Sequence, residues 1–186
     1  MNETLKIMRE RRSTRGFQSE QIKDDELQDI LGAGIYAPSA SNQQPWYFTV
    51  VQNKDLIDRL SDSFKELARK SDSDYLKKVG NNENFHVFYN SPTVIFISGD
   101  KQNSSAAVDC AAALENMLIA AESLKIGSCW VGFIAFLLNN EEGKGFMKEL
   151  GIPEGYREIH SVALGYKKVN STNAPARKEN IVNYIK

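Results

Sequence analysis

Residues 37–46 read Ala-Pro-Ser-Ala-Ser-Asn-Gln-Gln-Pro-Trp and lie between a helical pattern and a strand pattern. Two prolines restrict the backbone of this loop, and its short hydroxyl and amide side chains can donate and accept hydrogen bonds. Such a loop can lie flat against a planar ligand and bind its rim. The alternative is an ordinary polar turn in which Trp46 anchors the loop to the core. The loop alone leaves both interpretations open.

The segments that flank this loop predict a helix on one side and a strand on the other. Before the loop, the acidic residues 24–26 open a helix with a periodic apolar face, and Pro38 ends it. After the loop, residues 46–51 are aromatic and β-branched, which predicts a strand. The same patterns predict helices at about 4–12, 57–67, 109–124 and 141–150, a strand covered on both faces at 93–98, a turn or short strand at 127–132, and a strand at about 159–166.

Two segments carry no such pattern. Residues 70–85 are rich in Ser, Asp, Asn and Lys, and we interpret them as a mobile excursion. Residues 167–186 have no apolar face of their own. This tail is therefore either frayed or lies along another surface, such as that of a partner subunit.

Composition narrows the class of protein. The 186 residues fit a single domain spanning 1–186, and the 23 basic and 24 acidic residues give a net charge of -1. This balance does not support nucleic-acid or membrane-surface binding. The two cysteines cannot build a disulfide framework, and neither a presequence nor a membrane-spanning apolar run is evident. We expect a soluble, cytoplasmic protein with no nucleic-acid or membrane partner.

The first candidate for ligand binding is the run Arg11-Arg12-Ser13-Thr14-Arg15 at the end of a predicted helix. Guanidinium groups this close repel one another unless an anion or carboxylates neutralise them, and phosphate accepts bidentate hydrogen bonds from arginine. The alternative is a solvated helix end whose positive charge complements the helix dipole.

Other motifs carry less weight. Residues 32–37 match the spacing Gly-x-Gly-x-x-Gly/Ala of a dinucleotide site, but they close a helical pattern instead of following a strand. Histidines and cysteines do not approach zinc-ligand spacing, so we expect no metal site. A nucleophile or a side-chain acid or base is not evident either, which is typical of a protein whose cofactor performs the chemistry.

Four segments together resemble the FMN-dependent nitroreductase family, in an order that covers essentially the whole chain. They are the run Arg-Arg-Ser-Thr-Arg-Gly-Phe at 11–17, the loop at 37–46, Gly-Ser-Cys-Trp-Val-Gly at 127–132, and Ala-Leu-Gly-Tyr at 163–166 followed by Arg177 and Lys178. One departure is Lys125-Ile126-Gly127, where the family often has Gly-Leu-Gly.

The resemblance implies an α+β fold with a mainly antiparallel mixed sheet surrounded by helices. It also implies an intertwined homodimer with FMN at the subunit interface and with the tail at about 167–186 extending onto the partner. Carried over by position, the cofactor-binding residues include Arg11, Arg12, Ser13 and Arg15. The residues that reach the partner's flavin are Pro38, Ser39, Asn42 and Gln44, and those that lie along the flavin near N5 are Trp130, Val131 and Gly132. The remaining phosphate contact is Arg177, with Lys178 as its substitute.

The implied activity is hydride transfer from NADH or NADPH through flavin N5 to an electron-poor acceptor, such as a nitroaromatic or a quinone, in a ping-pong cycle. The flavin carries the chemistry, so no side chain is assigned a catalytic role. Three alternatives remain: a specialised reaction on the same fold, such as reductive dehalogenation or flavin degradation; an FMN-binding or storage protein without turnover; and a helix-rich domain without a cofactor.

Overall fold

The computed structural model describes residues 1–169 and 173–186, so residues 170–172 of the predicted tail lie outside the described residues. The four described strands are separated along the chain by one or two helices. The helices and strands are α1 (Glu3–Glu10), α2 (Asp24–Ile35), β1 (Trp46–Val51), α3 (Lys54–Lys70), α4 (Asp74–Gly80), β2 (Thr93–Asp100), α5 (Ala106–Ser123), β3 (Ile126–Val131), α6 (Ile134–Leu138), α7 (Lys144–Glu149) and β4 (Tyr156–Tyr166), with 3₁₀ turns at Ala40–Asn42 and Glu141–Gly143.

The four strands form one sheet in the order β1-β2-β4-β3, and all three strand pairs are antiparallel. The predicted α+β class and antiparallel character are confirmed. Parallel pairing among the described residues is confined to an isolated bridge between Ser13 and Ser128, so the mixed character of the predicted sheet is limited to this bridge. The bridge places the N-terminal segment beside β3, at the opposite edge of the sheet from β1.

Hydrophobic side chains cover both faces of the sheet. One face packs against α3 and α6 through residues such as Phe64 and Phe96, and the other packs against α2 and α5 through residues such as Ile95 and Leu114. The central strand β2 is buried along all but its last residue. This confirms the prediction of a strand covered on both faces, and it makes the sheet a rigid partition between its two edges.

Helix α2 shows how local sequence determines an element. The Glu26 carboxylate accepts a hydrogen bond from the Lys23 backbone N–H at 2.9 Å, which satisfies a free donor at the start of the helix. Near its end, Gly34 lies against the Met117 side chain of α5, so a Cβ at this position would collide with it. The glycine pattern at 32–37 therefore packs two helices, and it lies within and just after α2 instead of following a strand.

The sequence did not predict two short helices. Helix α4 lies within the segment interpreted as a mobile excursion, and its residues Leu76 and Val79 pack against the core. Helix α6 follows β3 directly. The helix predicted at about 141–150 is divided into a 3₁₀ turn and α7. Among the described residues, no helix combines the length and apolar character needed to cross a membrane.

Candidate functional site

Residues 11–15 include three arginines and are here called the basic cluster. They lie at the outer edge of β3. Arg11 caps the C-terminus of helix α1, and its backbone N–H donates to the Ile7 carbonyl at 2.8 Å. The Thr14 backbone N–H then donates to the Ser128 carbonyl at 2.8 Å. The structure therefore brings together two segments that the sequence analysis selected separately, the arginine run and residues 127–132.

Arg11 and Arg12 carry hydrogen-bond donors that are not satisfied within the described part of the chain. Arg11 Nη1 and Arg12 Nε are buried and have no partner there. Arg12 Nη1 donates to the carbonyls of Arg9 at 2.7 Å and Arg11 at 2.6 Å, so part of this side chain caps the end of α1. Buried donors without a partner are costly, and an anion bound at this cluster would satisfy them.

Arg15 lies beside Tyr89 and Cys129. The guanidinium carbon is 5.7 Å from the centroid of the Tyr89 ring, and hydrogen bonding to Tyr89 raises the pKa of Arg15. Burial raises the pKa of the Cys129 thiol, although Arg15 and a hydrogen bond from Ser13 act in the opposite direction. Cys129 is therefore a protonated packing residue at neutral pH, and Arg15 remains a cation close to Cys129 of β3.

The end of β3 leaves open space beside its backbone. A Cβ built on Gly132 meets no atom within 4 Å, and the neighbouring Trp130 is 37% exposed. The Trp130 ring packs edge-on against His160 with centroids 4.7 Å apart. Burial lowers the pKa of His160, so this imidazole is neutral at pH 7. Val131 is buried, and a ligand at this point would meet mainly the backbone of residues 130–132.

Residues 38–44, here called the amide loop, satisfy most of their polar groups internally. Ser39 Oγ accepts from the Gln44 backbone N–H at 3.0 Å, and Gln44 Nε2 donates to Asn42 Oδ1 at 3.0 Å. The Asp109 carboxylate of α5 accepts from the Ala40 N–H at 3.3 Å. Pro38, Asn42 and Gln44 are exposed. The loop is thus a fixed, projecting element.

One chain does not bring the amide loop and the basic cluster together. The loop leads into β1, whose first residue Trp46 pairs with Gly99 at the end of β2. The basic cluster lies beside β3, so β2 and β4 separate the two edges, which corresponds to a distance of roughly 14 Å at the usual strand spacing. Two strands therefore lie between the amide loop and the basic cluster within one chain.

The predicted phosphate contact Arg177 lies on the tail. Described residues 173–186 form no helix or strand and are exposed. Arg177 Nη1 donates to the Pro175 carbonyl at 3.2 Å, and Lys178 is exposed beside it. The structure therefore does not test the assignment of Arg177 to the phosphate.

Two residues that contact the candidate site, and a third that supports one of them, were not predicted from the sequence. Tyr89 faces Arg15, His86 holds the turn that carries Tyr89, and His160 packs against Trp130. Their spacing in the sequence gives no signal, because tertiary structure brings them to the site. A local cue exists only for the turn, in the dipeptide Asn90-Ser91 before Pro92.

The fold and the site define the class of protein: one edge of the sheet of an α+β fold carries a cluster of arginines beside an open strand end. The chain belongs to the Nitroreductase family, whose sequence model matches residues 8–166.

Individual relatives resemble the whole chain. A provisionally named NADH dehydrogenase/NAD(P)H nitroreductase from Archaeoglobus fulgidus is 34% identical over 173 residues, covering 90% of this chain and 87% of that protein. An NADPH-flavin oxidoreductase from Vibrio harveyi is 29% identical over 189 residues, covering 98% and 73%. A crystal structure of a Bacteroides fragilis nitroreductase with bound FMN is 34% identical, has a TM-score of 0.94 and is covered fully, as is this chain.

Proposed function

We propose that this protein is an FMN-dependent oxidoreductase that uses NADH or NADPH to reduce an electron-poor acceptor of the nitroaromatic or quinone type. The observation that carries the proposal is the pair of buried, unpartnered donors on Arg11 and Arg12 beside the open backbone at Gly132. An arginine cluster of this kind fits a phosphate, and an open strand end fits a planar ring. Similar nitroreductases from Bacteroides fragilis and Desulfitobacterium hafniense have been solved with bound FMN, which supports this choice of cofactor.

The residues divide the binding of FMN between them. Arg11 and Ser13 would hold the phosphate, with Arg12 contributing charge and Arg15 directed toward the strand end. Residues 130–132 would lie along the isoalloxazine, where backbone N–H groups and Arg15 favour a negatively charged reduced ring. When bound, FMN supplies the hydride acceptor N5, and the protein contributes binding, orientation and electrostatics.

A homodimer would complete the site. The exposed amide loop of one subunit would reach the flavin bound by the basic cluster of its partner, which accounts for the placement of the two regions at opposite sheet edges. Arg177 would then approach the phosphate from the tail. The exposed apolar residues of the tail and of α1 support this arrangement, since such residues commonly mark an interface; they are Leu5, Met8, Ile181, Val182, Tyr184 and Ile185.

A ping-pong cycle accounts for the use of a nicotinamide without a second nucleotide site. The glycine pattern at 32–37 packs α2 against α5, and it is not placed to bind a dinucleotide. The nicotinamide and the acceptor would therefore use the same open space beside Gly132 in turn. The stacked side chains of Tyr75 and Phe133, with centroids 6.1 Å apart, lie next to this segment and favour aromatic acceptors.

The test is anaerobic addition of NADH, and separately NADPH, to purified protein reconstituted with FMN. We expect a yellow protein whose flavin absorbance bleaches rapidly with one or both nicotinamides and returns when a quinone or nitroaromatic is added. Flavin that binds but is not reduced would indicate a storage protein. Protein that remains colourless after incubation with FMN would contradict the proposal. Adding a halogenated aromatic compound in place of the quinone or nitroaromatic tests the alternative of reductive dehalogenation.

A further inference from the structure

The turn before β2 holds two consecutive non-glycine residues in the left-handed region. Tyr89 has φ +56° and Asn90 has φ +55°. Side chains with a Cβ rarely adopt this conformation, and it persists only where surrounding contacts enforce it. The residue brought into place by the turn is Tyr89, which is half-buried against Arg15.

His86 supplies the contacts that hold this turn. Its Nδ1 accepts hydrogen bonds from the backbone N–H groups of Phe88 and Asn90, both at 3.2 Å. The Tyr89 N–H donates to the His86 carbonyl at 2.9 Å. A ring nitrogen that accepts two amide hydrogen bonds carries no proton, so the proton of the neutral imidazole resides on Nε2, which faces Asp58 Oδ1 at 3.4 Å.

The surroundings of His86 keep it in this neutral form. Burial lowers the pKa of His86 more than the Asp58 carboxylate raises it. Asp58 is itself paired with Lys54, which moderates its effect on the imidazole. The turn is therefore held in place by α3 through the contact between His86 and Asp58. Tyr89 is the side chain by which the turn contacts the candidate site.

We propose that Tyr89 and His86 are positioning residues for Arg15, through which they set the reduction potential of bound FMN. The inference rests on the proposed function. Tyr89 holds the guanidinium near Cys129 of β3, the residue that precedes segment 130–132, where its charge would stabilise the reduced flavin more than the oxidised flavin. His86 does not touch the site, and it acts by fixing the backbone of residues 88–90.

The test measures the midpoint potential of bound FMN by equilibration with a reference dye, in the wild type and in Tyr89→Phe. This substitution keeps the ring beside the guanidinium and removes the hydroxyl, whose hydrogen bonding raises the pKa of Arg15. Its loss should lower the affinity for reduced relative to oxidised FMN about threefold to tenfold, which corresponds to a potential about 15 to 30 mV more negative for a two-electron couple. Tyr47→Phe is the matched control, because Tyr47 packs against Tyr156 away from Arg15, and it should leave the potential unchanged.

His86 variants separate positioning from general stability. His86→Ala should shift the potential in the same direction as Tyr89→Phe, and the double variant should shift it little further, because both changes release the same guanidinium. His86→Asn should keep the potential close to that of the wild type, since an amide oxygen at this position can also accept from the N–H two residues later. If His86→Ala does not fold, Tyr89→Phe alone decides the outcome.

A measurement without flavin completes the test. In the flavin-free protein, imidazole nitrogen chemical shifts should identify His86 as neutral with its proton on Nε2, and the His86→Asn spectrum assigns the signals. A proton on Nδ1, or an unchanged potential in Tyr89→Phe, overturns the inference while the wild type still binds FMN. A wild type that binds no FMN overturns the proposed function, and the inference with it.

Discussion

The basic cluster beside β3 and the amide loop before β1 differ in how far their polar groups are satisfied within one chain. In the cluster, buried donors of Arg11 and Arg12 have no partner in the described residues. In the loop, Asn42 and Gln44 hydrogen-bond each other and project into solvent. The cluster therefore retains buried donors that the anion of the proposed cofactor would satisfy, whereas the polar groups of the loop named here are already paired with each other.

The largest expected effect comes from removing one arginine of the basic cluster. Arg11→Ala should weaken FMN binding by about 2 to 3 kcal/mol, because a charged hydrogen bond to the phosphate is lost. Riboflavin, which lacks the phosphate, should bind the variant and the wild type with similar affinity. Titration of flavin fluorescence measures both affinities.

The matched control for Arg11→Ala is Arg9→Ala, which removes the same charge from the exposed last turn of α1. It should change FMN affinity little, because the Arg9 side chain is exposed and its charge is screened by solvent and salt. Equal losses for FMN and riboflavin in Arg11→Ala would contradict a phosphate role for this arginine.

The strand between the two regions supplies the next prediction. Glu158 on β4 is fully buried, its Oε1 has no partner in the described residues, and burial raises its pKa well above the usual value. The Glu158 carboxyl therefore ionises at lower pH in the unfolded chain than in the folded protein. The free energy of unfolding is highest below the pKa that Glu158 has in the unfolded chain. It falls as the pH rises above that value, until the pKa of Glu158 in the folded protein is reached. The penalty grows by about 1.4 kcal/mol per pH unit in that range.

Glu158→Gln should remove this penalty, since an amide does not ionise. Urea unfolding between about pH 5 and pH 8 should show that the stability of the variant relative to the wild type increases with pH. Glu142→Gln, an exposed carboxylate, serves as the control and should show no such trend. Parallel pH profiles for Glu158→Gln and the wild type would show that the Glu158 carboxyl does not resist ionisation.

A smaller effect is expected in the loop. Asn42→Ala removes the acceptor for Gln44 and an amide that we propose to contact the partner's flavin, and it should weaken FMN binding by about 1 kcal/mol. If the site is shared, refolding a mixture of Asn42→Ala and Arg11→Ala subunits yields hybrid dimers in which one of the two sites is intact. Random reassembly would then restore high affinity at about a quarter of the sites. No restoration would indicate that both residues serve the same subunit's flavin.

The sequence predicted the elements whose patterns are long or chemically distinct. Helix α2, with its acidic first turn, and β2, with its apolar β-branched run, lie where expected. Helix α4 was missed because its seven residues are too few to display a repeat, and tertiary packing of Leu76 and Val79 stabilises it. The basic cluster and the strand end were likewise recognisable as segments. Their contact with Tyr89 was not, since it depends on a left-handed turn that His86 enforces from elsewhere in the fold.

The smallest expected effect concerns the backbone of the amide loop. Ser41 is exposed and has φ +51°, a conformation that costs a residue with a Cβ about 1 kcal/mol. Ser41→Gly should remove this strain, and the greater flexibility of the unfolded chain should offset part of the gain, so the free energy of unfolding should rise by about 0.5 kcal/mol. Ser104→Gly, at an exposed serine without positive φ, should instead lower it by a few tenths of a kcal/mol.

The same substitution tests whether the loop acts as a rigid element. A glycine at position 41 leaves every side chain predicted to bind FMN in place, but it allows the loop to move. If the loop serves the partner's flavin through its fixed shape, Ser41→Gly should weaken FMN binding about twofold even as it stabilises the fold, because ordering the loop then costs entropy on binding. An unchanged affinity would mean that the hydrogen bonds from the Gln44 and Ala40 backbone N–H groups to Ser39 and Asp109 hold the loop without help from the backbone at Ser41.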